Sequence, residues 1–188
     1  MNNSNRRDFL KQSLSLASLL VAIPALESCS SKRNKTILLR SSWQVENIGD
    51  IAHTPGVLAL IEKYLPHVDV RLWPNNVGSG VEEMLMARFP KLVILKSQEQ
   101  KEKAFLECDF LLHGSGPSLV ARKELERWRK ETGKPYGIYG ITFPGNYGFD
   151  SERSKYNPLD IELFNNASFA YFRDSVSLAF ATEKGAKC

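Results

Sequence analysis

Asp109-Phe110-Leu111-Leu112-His113-Gly114-Ser115-Gly116-Pro117 is the stretch that decides the fold. Residues 109–113 read as a strand whose middle is apolar without interruption, as a strand buried on both faces of a parallel sheet must be. The glycines that follow end the strand and leave backbone amides accessible to an acceptor ligand. Pro117 and Ser118 open the next helix. Outward from here, short apolar runs alternate with helical periodicity. Strands are expected over 36–40, 68–72, 92–95, 109–113, 136–141 and 168–172, and helices over 54–64, 80–88, 98–107, 119–132, 157–165 and 175–184. Thr54 reads as the N-cap of the first helix and Pro55 as its first residue.

This alternation predicts an α/β domain with a Rossmann-like, mainly parallel sheet and helices on both faces. The sequence contains no repeat and no low-complexity segment. Its least regular stretch, 142–156, is rich in Gly, Pro, Asn and aromatics, and reads as a functional loop or a plain surface connection.

Ligands bind open α/β sheets beyond the carboxyl ends of the strands, and three motifs fall there. Asn47-Ile48-Gly49-Asp50 follows the first strand. Gly49 allows close backbone approach or a positive φ, and the helix that follows offers free N–H groups to an anion. Asp50 either caps that helix or orients a ligand hydroxyl and takes its proton. In His113-Gly114-Ser115-Gly116, the histidine either donates to a phosphate or acts as an acid, or it is structural. In Arg173-Asp174-Ser175-Val176-Ser177, the guanidinium suits a carboxylate or phosphate; the other reading is an ion pair with Asp174 or a glutamate. Ser177 reads as helical support, and His53 and His67 as surface residues.

The three motifs, in this order over 37–188, resemble the N-terminal half of the polysaccharide pyruvyl transferase family. The central turn departs from the family's run of glycines, which marks a divergent branch. The resemblance implies the first half of a two-domain, glycosyltransferase-B-like layout over 36–188. It implies transfer of a pyruvyl group from phosphoenolpyruvate onto two sugar hydroxyls as a ketal. Asp50 would then be catalytic. Asn47, Gly49, His113, Gly114, Ser115, Gly116, Arg173, Asp174 and Ser177 would bind substrate, with no bound cofactor. Part of the family's machinery, including a key His and Arg, lies in a second half, so residues 1–188 alone are expected to be catalytically incomplete. An exported, non-catalytic glycan-binding domain and a glycosyltransferase-like enzyme with another donor are the alternatives, since fold does not fix function.

Residues 1–28 resemble a twin-arginine export signal. Arg6 and Arg7 precede Phe9-Leu10-Lys11, and the apolar stretch 14–26 is too short for a confident membrane span. Leu26-Glu27-Ser28-Cys29 fits a lipoprotein cleavage site. Cys29 would be the lipidated residue and 29–35 a tether, placing the protein at the periplasmic or outer surface on a membrane lipid anchor. The expected partners are the translocation machinery and a glycan acceptor. Twenty-five basic residues against 21 acidic give a formal charge of +4, too even for a nucleic-acid partner, which needs a concentrated basic face. Three cysteines with no C-x-x-C and no His cluster suggest neither a disulfide framework nor a metal site.

Overall fold

A computed structural model describes residues 33–143 and 157–187. Arg6, Arg7, Cys29, Cys188 and most of the 142–156 stretch lie outside them. Six strands and six helices alternate through the described residues. They are β1 (Lys35–Ser41), α1 (Ile48–Tyr64), β2 (Val68–Pro74), α2 (Val81–Arg88), β3 (Val93–Ile94) and α3 (Gln98–Glu107), then β4 (Phe110–His113), α4 (Arg122–Thr132), β5 (Tyr136–Ile141), α5 (Pro158–Asn166), β6 (Phe169–Phe172) and α6 (Ser175–Glu183).

All strand pairs are parallel, in the order β3-β2-β1-β4-β5-β6. The chain steps outward from β1 to β3, returns through α3 and resumes beside β1. The order therefore reverses between β1 and β4, where Arg40 stands opposite His113. That reversal opens a crevice beyond the strand ends, the usual ligand position in such sheets.

Strand periodicity sends successive side chains to opposite faces. Leu38 of β1 joins Phe105, Leu111, Leu125, Trp128 and Leu163 in a core beneath α3, α4 and α5. Ile37 and Leu39 join Val57, Leu58, Leu72 and Leu85 in a second core beneath α1 and α2. Both faces of β1 and β4 are thus covered, which accounts for their unbroken apolar runs. Gly137 of β5 is a close-approach glycine: a Cβ there would lie 2.4 Å from the Phe169 ring. The absent side chain lets Phe169 lie across β5 and stack 6.1 Å from Phe110.

One element boundary corrects the sequence reading. The first helix starts at Ile48, capped by Asn47, and Pro55 lies inside it. Thr54 is no cap; it is 1% exposed, with Oγ1 2.9 Å from Ser41 Oγ. The Asn47 cap and the packing of Ile51 on the second core outweigh the cost of an internal proline. The helix over 98–107 forms as expected, because Ser97 and Gln100 make a reciprocal capping box.

Candidate functional site

Trp43, two residues beyond β1, joins the two sides of the crevice. Its indole N–H donates to the Ser115 carbonyl at 2.7 Å, and its ring packs 5.0 Å from that of His113. A Cβ on Gly116 would stand 2.8 Å from the indole nitrogen, and one on Gly114 would stand 2.5 Å from Ser41 Oγ. Both glycines are therefore required by contact between the ends of β1 and β4. Ser115 carries the connection onward: its hydroxyl donates to the Gly140 carbonyl at 2.7 Å. Gly140 adopts φ +69° at the irregularity where β5 shifts register against β6.

Arg40 lies beneath Trp43. Its guanidinium stacks 4.8 Å from the Trp43 ring and 5.5 Å from that of Trp73 and pairs with Glu124 at 3.2 Å. Burial pulls the Arg40 pKa below its ordinary value, opposed by Glu124. His113 is fully buried. Its Nδ1 pairs with the Gly114 carbonyl at 2.7 Å, and its Nε2 accepts from Ala121 N–H at 3.2 Å. The second bond requires the Nδ1–H tautomer, in which Nδ1 donates. Burial, with the Arg40 charge nearby, pushes the His113 pKa down to about 3. In this geometry His113 is a neutral brace between the turn and the start of α4, with no free nitrogen for a phosphate or for acid chemistry.

On the β1 side, Asn47 Oδ1 accepts from Gly49 N–H at 2.8 Å. Gly49 is helical and is not among the positive-φ positions, so its role here is fit to that cap. Asp50 lies in the first turn of α1, half-buried, and accepts from Gln44 Nε2. Its other oxygen, Oδ1, makes no hydrogen bond among the described residues. His53, one turn on, is half-buried, with Nδ1 enclosed and without a partner among the described residues. It is not the plain surface residue that its sequence context suggests.

On the β6 side, the motif divides in two. Asp174 caps α6: it accepts from Ser177 N–H at 2.8 Å and from the Ser177 hydroxyl at 2.9 Å. That hydroxyl accepts from Phe143 N–H at 2.9 Å, so Asp174 and Ser177 fasten the chain after β5 to the start of α6. Arg173 is exposed, and its guanidinium makes no hydrogen bond or ion pair among the described residues. The ion-pair reading with Asp174 therefore does not hold. Arg173 leans on Gly140, where a Cβ would come 3.9 Å from its Cγ, and it lines an open groove of about 870 Å³ along β6.

The structure thus brings the three motifs to one edge of the sheet, linked through Trp43, Ser115 and Gly140. Among the described residues no contact joins Asp50 directly to Arg173, and no three His, Cys, Asp or Glu stand together as metal ligands. Sequence reasoning missed Arg40, Trp43 and Gln44, and read His53 only as a surface residue. Of these, Trp43 carried a signal, an aromatic residue shortly after a strand end.

The neutral His113 makes a testable prediction. A histidine whose folded pKa is depressed to about 3 contributes stability that is complete above its unfolded value. That stability is lost as pH falls from about 6.5 toward 3, because the unfolded chain takes up the proton first. His113→Gln should be less stable than wild type at pH 7, by chemical unfolding. The gap should narrow by about 1–2 kcal/mol at pH 5. A gap constant over that range would contradict a buried neutral histidine.

The family model described as "Polysaccharide pyruvyl transferase" matches residues 47–188, from the cap of α1 past the end of α6. No curated protein matches the chain. With more than half of its length matched, the chain belongs to the polysaccharide pyruvyl transferase family.

Proposed function

We propose that the protein transfers a pyruvyl group from phosphoenolpyruvate to two hydroxyls of a sugar, as a ketal, in modification of a cell-surface polysaccharide. The observation that carries this reading is the unpaired Arg173 guanidinium at the same sheet edge as the free oxygen of Asp50. The donor is an anion with a carboxylate and a phosphate, and a guanidinium fits either bidentately. The acceptor is a diol, which a carboxylate can orient and deprotonate.

One hydroxyl oxygen bonds to C2 of the donor while C3 takes a proton and becomes a methyl group. The second hydroxyl oxygen then displaces phosphate, which leaves with the electron pair of the C2–O bond. One hydroxyl proton is thereby accounted for on C3 and the other on phosphate. Arg173 holds the departing charge, and Asp50 holds and deprotonates a sugar hydroxyl. His113, buried with both nitrogens engaged, is left out of the proton path. Gly114, Ser115 and Gly116 shape the turn facing the ligand. Calorimetric titration of phosphoenolpyruvate into the leader-free protein should give saturable binding, weakened roughly tenfold or more in Arg173→Ala, the loss of one charged hydrogen-bonding group. Equal affinity in both proteins would overturn the donor role.

A second reading is favoured by the leader pattern. Phosphoenolpyruvate is a cytoplasmic metabolite, and Arg6-Arg7 with Cys29 points to export and lipid anchoring. A protein so exported would serve as a glycan-binding domain that keeps the fold without the donor. Arg6→Lys with Arg7→Lys should retain the protein in the cytoplasm, by fractionation; undiminished export would sink the leader reading.

A further inference from the structure

We infer that Gln44 is a positioning residue that keeps Asp50 out of the helix cap and turns its free carboxylate oxygen toward the acceptor. The inference rests on the hydroxyl-binding role proposed above for Asp50.

Asp50 is the third residue of α1, three after the cap residue Asn47. An acidic or amide side chain at that position ordinarily reaches back to the N–H of the cap residue. The same chain does this at α3: Gln100 Oε1, three residues after the cap, accepts from Ser97 N–H at 3.1 Å and from Lys96 N–H at 2.7 Å. At α1 that place is taken from the other side. Gln44 Oε1 accepts from Asn47 N–H and from Glu46 N–H, each at 2.9 Å, so the cap N–H that Asp50 would otherwise reach is already satisfied. The Gln44 amide then uses its other end to donate to one oxygen of Asp50. One side chain thus performs the capping task in place of Asp50 and anchors Asp50 by a single oxygen. Gln44 follows Trp43 directly, so the anchor is set by the same tie that joins β1 to β4.

Glutamate at position 44 separates the two tasks. It retains an oxygen for both backbone N–H groups, loses the donor to Asp50 and sets a like charge beside it. Gln44→Ala loses both tasks. Gln44→Glu combined with Asp50→Asn rebuilds the side-chain bond with the charge on the wrong residue. The readouts are the thermal midpoint, phosphate release from phosphoenolpyruvate with methyl glucoside as the diol, and the Asp50 carboxyl 13C signal, assigned by its loss in Asp50→Asn. Gln44→Glu should lower the midpoint less than Gln44→Ala, yet slow phosphate release by roughly tenfold or more. The double variant should regain midpoint but not release, and the carboxyl signal should move in Gln44→Ala. A residue of merely structural role would rank midpoint and release alike. Wild-type release in Gln44→Glu, release restored in the double variant, or an unmoved carboxyl signal overturns the inference. Where the wild type releases no phosphate, the carboxyl signal alone decides: movement in Gln44→Ala supports the role of Gln44, and an unmoved signal overturns it.

Discussion

The hydrogen bond from the Trp43 indole to the Ser115 carbonyl is the constraint on which the rest of the site depends. A parallel sheet whose strand order reverses leaves a gap between the two loops at the reversal. In this protein the Trp43 side chain crosses that gap. The carbonyl it satisfies is buried, and a buried polar group without a partner costs about 1–3 kcal/mol. The neighbouring glycines follow from the same contact, since Cβ atoms at positions 114 and 116 would collide with Ser41 and Trp43. Gly114 and Gly116 are thus explained first by packing between strand ends.

Charge is arranged around this tie with little redundancy. Arg40 is buried between two indole rings and neutralised by Glu124, and a buried cation is tolerated only when so paired. The neutral His113 beside it avoids a second buried positive charge. Asp174 is consumed in capping α6. Among the described residues, one oxygen of Asp50 and the guanidinium of Arg173 remain uncommitted at this side of the sheet, as does the enclosed Nδ1 of His53; the proposed function assigns the first two to acceptor and donor.

Much of the fold was legible because it follows from local patterns. The unbroken apolar centre of β4 marked a buried parallel strand, and the alternation of strands and helices announced a parallel sheet. The helix over 98–107 was expected from its periodicity, and Gly133, in the left-handed region at φ +61°, closes α4. Thr54-Pro55 misled because proline at the first helical position is a strong local signal, whereas the actual start depends on Asn47 and on packing against a core that only the folded chain creates. The site was legible by position and less so by role. Arg173 and Asp50 were found as motif members. That His113 is sealed, that Asp174 and Ser177 form a cap, and that Trp43 reaches a residue 72 positions away are facts of tertiary contact, which no short window contains.

Trp43 joins the two sides of the crevice, and its own indole N–H reports on whether a ligand enters there. Trp128 is the internal control: its indole N–H donates to the Lys134 and Pro135 carbonyls, at the opposite, amino-terminal end of β5. In a 15N–1H titration with phosphoenolpyruvate, the Trp43 indole signal should be slow to exchange with solvent and should shift on binding, while the Trp128 signal stays in place. A Trp43 indole that exchanges as freely as an exposed one, or that is unmoved while the ligand saturates the protein, would contradict a crevice built on this bond.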